Sequence, residues 1–224
     1  MTKTAIYTGL FDTKTITVKE FITHGERTYA TNIGRIMSDP SLFDNITLLL
    51  ENLIKTKSLE YDRICATSIS AIPFATNIAT SVEKPIAWVV DNGNDREKKG
   101  NISGLKVEGG IEINDRVLLI ETVCSADFYL ENIITRIRKF GGQVAGVLVV
   151  LNICEGEYVN LLAEGESVYP LLNLFDIMTY LENNNLIELF YSEKVKFFCE
   201  KETKLNLTKL LSSSQLASKY DTNI

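Results

Sequence analysis

The residues able to do chemistry gather in four short segments, each placed directly after an apolar run. Glu121 closes the run Arg116 to Ile120 and is followed by Thr122, Cys124 and Ser125. A carboxylate there can accept from ligand hydroxyls or reach a metal-bound one; its other role is to cap the next helix. Ser125 stands where that helix would begin, as an N-cap or as a ligand hydroxyl. Thr67, Ser68, Ile69 and Ser70 follow Cys65–Ala66, and Asn152 to Gly156 follow a second apolar run. The stretch Asp91 to Gly104 is polar and carries Lys98 and Lys99, which could meet an anion or form a solvated charged loop. Cys124 at a helix start could have a lowered pKa, but no base lies in sequence reach, and a buried thiol is the plainer reading.

What the chain lacks narrows the chemistry further. It has 224 residues, a net charge of −6 and one histidine, His24. One histidine removes multi-histidine metal sites and leaves a serine–histidine–aspartate triad poorly supported. An acidic chain without a dense Lys/Arg block makes a poor nucleic-acid binder, because phosphate neutralisation supplies most of that affinity. The four cysteines are far apart, with no Cys-x-x-Cys pair, so zinc knuckles and redox motifs are not expected. The longest apolar run, Val144 to Leu151, is too short to span a bilayer. The first residues lack the apolar stretch of a secretory signal. No membrane partner, no nucleic-acid partner and a cytoplasmic location are the expectations.

The elements that must position these residues alternate between strand and helix. Arg116 to Ile120 and Gln143 to Leu151 are continuous apolar runs, as expected of strands buried on both faces of a parallel sheet. Between them Leu130, Ile133, Ile134 and Ile137 recur at helical spacing, and Gly141–Gly142 stop the helix. Upstream, Pro40 to Lys57 reads as a helix, Tyr61 to Ala66 as a strand, Ile72 to Ser81 as a helix and Pro85 to Val90 as a strand. Downstream, Val168 to Leu171 reads as a short strand and Leu174, Ile177, Met178 and Leu181 as an amphipathic helix. Leu186 to Cys199 reads as a further helix. One domain over residues 1–210 is expected, with 211–224 as a flexible tail. Ligands of open parallel sheets sit outside the carboxyl ends of the strands, where the four segments fall.

Arg116 to Ala126 resembles the diphosphate-sugar signature of type I phosphoribosyltransferases: a buried strand, two acidic residues, then a Thr/Ser/Gly loop opening a helix. Its context resembles the orotate branch of that family. Leu10 to Phe21, with His24–Gly25 and Tyr29, is similar to the opening hood. Cys65 to Thr76 is similar to the pyrophosphate loop and its helix, including the Ala71-Ile72-Pro73-Phe74-Ala75-Thr76 pattern. Val107-Glu108-Gly109 resembles the end of the flexible catalytic loop. The resemblance runs from about Ala5 to about Cys199. It implies an α/β fold with a central, mostly parallel sheet flanked by helices, and a small N-terminal hood over about 1–35 with C-terminal elements. It implies a homodimer, or pairing with an active paralogue or another protein.

Five departures from the family pattern cluster on one implied pocket. Val90, Asp91 and Asn92 stand where the family has an arginine–lysine pair reaching the diphosphate. Arg96-Glu97-Lys98-Lys99-Gly100 keeps only the basic character of the catalytic loop. Glu121 remains of the acidic pair, but its partner is Thr122. The phosphate loop reads Cys124-Ser125-Ala126-Asp127-Phe128, and Asn152-Ile153-Cys154 replaces an aspartate–arginine–glutamate whose arginine meets orotate. An anionic sugar diphosphate thus loses cations and gains a carboxylate, and each lost charge-assisted contact is worth roughly 1.5–3 kcal/mol.

The expected function is that of a degenerate, catalytically inactive orotate phosphoribosyltransferase-like protein that acts by binding or assembly. Its vestigial substrate positions are Thr67, Ser68, Ile69, Glu121, Thr122, Ser125 and Ala126, and its vestigial catalytic ones Lys98, Lys99 and Glu121. No resident metal or cofactor is expected. The first alternative is an active enzyme joining orotate to phosphoribosyl diphosphate, with magnesium, to give orotidine 5′-monophosphate and pyrophosphate. The second is a structural protein reusing the fold.

Overall fold

The computed structural model describes residues 2–18, 29–91, 104–124, 129–153, 161, 165–197 and 199–200. The chain opens with α1 (Lys3–Asp12), then β1 (Ile16–Val18) and β2 (Tyr29–Thr31), which pair antiparallel as a separate two-stranded sheet. A 3-10 turn, Ile33–Ser38, leads into α2 (Pro40–Thr56). Asp39 starts α2 by accepting from the Leu42 N–H at 3.1 Å, and Pro40 occupies the first helical position, where its missing N–H has no partner to lose.

There follow β3 (Arg63–Ala66), a 3-10 turn (Ile69–Ala71), α3 (Ile72–Ser81), β4 (Ile86–Asp91), β5 (Leu105–Glu108), β6 (Arg116–Cys124), α4 (Tyr129–Lys139), β7 (Gln143–Asn152), β8 (Val168–Asn173) and α5 (Leu174–Asn183). Residues 189–197 and 199–200 are helical and are called α6. Among the described residues the main sheet has six strands in the order β5-β4-β3-β6-β7-β8. Every neighbouring pair is parallel except β4 with β5.

Alternate residues of the central strands serve opposite cores, which is why their sequences show no alternation. Ile64, Ala66, Leu118, Ile120, Leu148 and Val150 join one cluster with residues of α1, α2, α3, α5 and α6, such as Leu10, Leu50, Phe74, Ile177 and Val195. Cys65, Val117, Leu119, Val147 and Val149 join the other, under Leu130, Ile133, Ile134 and Ile137 of α4. Both faces are apolar because both are covered.

The expected strand–helix order is present, with differences at the edges. The segment after Ile120, expected as loop from Glu121, continues as strand to Cys124, because Val123 and Cys124 still pair with Leu151 and Asn152 of β7. β3 begins at Arg63 rather than Tyr61, and β8 runs on to Asn173 rather than ending at Leu171. Leu105–Glu108, which no periodicity announced, is an antiparallel edge strand on β4. α1 was not expected as a helix; Thr2 caps it, and Tyr7 and Thr8 meet Tyr180 of α5, the hydroxyls of Thr8 and Tyr180 lying 2.9 Å apart.

Gly109 ends β5 with φ +82°, and a Cβ there would lie 2.5 Å from the Ile86 carbonyl oxygen, so only glycine lets the chain pass β4 this closely. At the opposite end of the sheet from the expected ligand side, Arg63 binds Asp115, and Arg116 binds Asp62 and Glu60. These pairs tie the start of β3 to the start of β6. Among the described residues no helix is long and apolar enough to cross a membrane.

Candidate functional site

The carboxyl ends of β3, β6, β7 and β8 place Thr67, Glu121, Asn152 and Asn173 along one edge of the sheet. Parallel pairing of β3 with β6 sets Ala66 opposite Ile120. Thr67 is then the next residue beyond the strand, and its N–H donates to the Ile120 carbonyl at 3.1 Å. Its hydroxyl oxygen lies 2.9 Å from that carbonyl and 2.7 Å from Glu121 Oε2, and its one proton goes to the carboxylate at the shorter distance.

Glu121 is the hub. Its Oε1 accepts from the Ser68 hydroxyl at 2.9 Å, from the Thr122 hydroxyl at 3.1 Å and from the Thr122 N–H. The Val123 N–H adds a longer contact to Oε1 at 3.4 Å, so Oε1 is crowded with protein donors while Oε2 takes Thr67 alone. Glu121 is 4% exposed, so the side chain is turned into the protein. Thr122 is also buried, and its hydroxyl lies 2.8 Å from that of Ser70, which in turn is 3.2 Å from that of Ser68. The hydroxyls of the 67–70 loop and the carboxylate of β6 thus form one closed network. The Tyr129 hydroxyl, from the first residue of α4, donates to the Thr67 carbonyl at 2.7 Å and holds the loop from the other side.

Of the residues expected at the site, Thr67, Ser68, Glu121 and Thr122 are brought together. Ile69 adjoins them in sequence but points outward, 83% exposed. Lys98, Lys99, Ser125 and Ala126 lie outside the described residues, as do His24, Asp127 and the tail from 211. Glu121 clamps the 67–70 loop to β6 through its hydrogen bonds to Thr67 and Ser68. Cys124 is buried, against a role as an exposed nucleophile. Tyr129 and Asn173 were not anticipated. A polar residue ending the apolar run of β8 was the one available signal for Asn173, and nothing local marks Tyr129.

Among the described residues no group of three or more His, Cys, Asp or Glu side chains could hold a metal ion. Glu121 does not fit a magnesium ligand as it stands, since it is 4% exposed and no second acidic side chain stands with it among the described residues. Burial pushes the Cys65 thiol, beneath the loop, up to about 12, so it is inert at neutral pH.

A six-stranded, mostly parallel sheet with one antiparallel edge, helices on both faces and the candidate site at the strand ends is the fold of the type I phosphoribosyltransferases. The solved orotate phosphoribosyltransferase of Aeropyrum pernix superposes with a TM-score of 0.66 at 20% identity, covering 82% of this chain and 99% of that one. The UMP synthase of Leishmania donovani superposes with a TM-score of 0.73 at 18% identity, covering 90% of this chain and 43% of that one. No family model matches the chain. In sequence it is 28% identical over 152 residues to the orotate phosphoribosyltransferase of Pyrococcus abyssi, spanning 68% of this chain and 81% of that protein. The chain is homologous to the orotate phosphoribosyltransferases.

Proposed function

We propose that this chain retains the phosphoribosyl site of its homologues as a binding site, and that it works by binding or assembly rather than by ordinary turnover. The observation that carries the reading is the state of Glu121. Its carboxylate is turned inward and engaged by Thr67, Ser68 and Thr122, and the neighbouring acidic position of the family pattern is Thr122. A sugar hydroxyl would find Oε1 already crowded and only one acceptor position open on the buried Oε2, so Glu121 can help to hold a ligand but gives weak support to a transition state. Catalysis of this kind depends on preorganised charge aimed at the transition state, and here the Glu121 carboxylate is aimed at the protein's own hydroxyls.

A second reading, favoured by the homology, is an active orotate phosphoribosyltransferase that forms orotidine 5′-monophosphate and pyrophosphate from orotate and phosphoribosyl diphosphate, with magnesium. Its catalytic groups would come from the segment bearing Lys98 and Lys99 together with Glu121, after Ser68 has swung away. In either reading a homodimer, or a complex with an active paralogue or another protein, would complete the site, and the cytoplasm is the fitting compartment.

One pair of measurements separates the two. The protein is titrated by calorimetry with phosphoribosyl diphosphate and magnesium, then with orotidine 5′-monophosphate, and is assayed for loss of orotate. Ligand binding without turnover is expected. Turnover at a rate ordinary for an enzyme, on the order of 1 s⁻¹ or more, overturns the first reading in favour of the second. No heat with either ligand and no turnover, from folded protein, removes the retained binding site and the enzyme and leaves assembly alone.

A further inference from the structure

α6 carries apolar residues on two opposite faces. On the inner face Ser192, Val195 and Cys199 are buried. The Ser192 hydroxyl donates to Glu182 of α5 at 2.7 Å, and the Cys199 thiol to the Ile153 carbonyl at 3.1 Å. Lys196 reaches the same Glu182. A surface helix fastened in this way ordinarily turns a polar face outward. Here Phe190 and Phe197, two turns apart on the outer face, are 55% and 68% exposed. Leu186 and Leu189 beside them are exposed as well. Single exposed apolar residues are ordinary, whereas a set gathered on one face marks a contact surface.

The order of charges along that face selects its occupant. Phe190, Glu193, Lys194 and Phe197 fall at i, i+3, i+4 and i+7 and form one stripe of the helix. Lys194 holds its ammonium 4.0 Å from the centre of the Phe190 ring, so its charge lies on the stripe. Reversing the stripe returns the same order with the two signs exchanged. A twofold axis midway between 193 and 194 therefore sets Phe190 against Phe197 of a second copy. It also sets Glu193 against Lys194, each contact occurring twice. Self-complementarity of this kind is what an isologous contact requires, and a foreign partner has no need of it.

Charge and size narrow the contact further. An anionic lipid surface is disfavoured, because the stripe carries a carboxylate and the chain a net charge of −6. A fully buried aromatic covers roughly 150–250 Å², so two per copy make a small patch beside the roughly 1,200–2,000 Å² of a stable interface. The pairing is accordingly weak and reversible.

We propose that the outer face of α6 is a self-association surface, joining two copies of this chain antiparallel about a twofold axis between Glu193 and Lys194. It requires neither ligand at the Glu121 site nor the dimer proposed to complete that site.

The test is sedimentation equilibrium of the full chain from micromolar to near-millimolar concentration. The average mass is expected to rise with concentration. Glu193→Lys makes the charges of the stripe wholly cationic and Lys194→Glu makes them wholly anionic, and each alone is expected to weaken the association at least tenfold. Mixed in equal amounts the two variants are expected to recover it, since every cation again faces a carboxylate. Circular dichroism checks that each variant is folded. Should Lys194→Glu not fold, Phe197→Ser at its exposed position takes its place and is expected to lose the association. A mass independent of concentration, a rise undiminished in Glu193→Lys or Phe197→Ser, or a mixture of folded variants that recovers nothing would each overturn the proposal. The face would then belong to another occupant, such as residues 201–224 of the same chain or a different protein. A dimer formed at the ligand site is read separately, as a floor of mass that these substitutions leave in place.

Discussion

Thr67 joins three elements through a single residue: its hydroxyl reaches Ile120 and Glu121 of β6, and its carbonyl takes the Tyr129 hydroxyl of α4. Replacing it by valine keeps the shape and removes the donor, leaving a buried carboxylate oxygen short of a partner. Thr67→Val is expected to cost about 2 kcal/mol and Tyr129→Phe about 1 kcal/mol, read as shifts in the urea midpoint. The double mutant should cost less than the sum, because the two hydrogen bonds support one loop. The polar residues of this site were legible from the sequence, since each follows a buried strand. The direction in which they point was not. Whether Glu121 faces a ligand or Ser68 depends on β3 lying beside β6 with Ala66 opposite Ile120, a register that no local pattern encodes.

Elements were legible where a single face governs them. α3 spans Ile72–Ser81 as its spacing predicts, and α2 stops within a residue of its expected end. Elements defined by a neighbour were not: β5 exists because it lies along β4, and the last residues of β6 are strand because β7 continues beside them. Gly109 makes the β4–β5 contact possible, and Gly109→Ala is expected to destabilise by about 3 kcal/mol, from a clash with the Ile86 carbonyl and a strained φ together. Asp39→Ala, which only removes the cap of α2, should cost about 1 kcal/mol in the same assay. A loss at Gly109 no larger than at Asp39 would mean that β5 can move away from β4.

Across the whole molecule, charge pairs fasten the lower ends of β3 and β6, and pH tests them. Hydrogen bonds from Arg116 hold the Asp62 carboxyl below its usual value. Burial alone would raise Asp115, but hydrogen bonds from Arg63 and the Glu112 N–H outweigh it and the net shift is downward. Lys196 and Ser192 lower Glu182, which ties α5 to α6. Each folded carboxyl binds its proton less readily than the unfolded one, so the stability these groups contribute is present above about pH 4.5 and is lost as the pH falls below it. The urea midpoint should therefore drop between pH 5 and pH 3, and Arg116→Met should flatten that drop. The Cys65 thiol works in the opposite sense. Its folded value lies above its ordinary 9.0, so stability declines as the pH rises from about 9 towards about 12.

The two outermost strands of the main sheet have a bearing on how the chain behaves among its own copies. β8 includes Pro170, which has no N–H to offer a further strand, and among the described residues β8 has a neighbour on one side only. At the other margin β5 is four residues long and exposes Lys106 and Glu108. A short charged strand and a proline-interrupted one are both poor templates for a stranger's backbone. The sheet is thereby guarded against edge-to-edge aggregation at high concentration, when many partly folded chains meet.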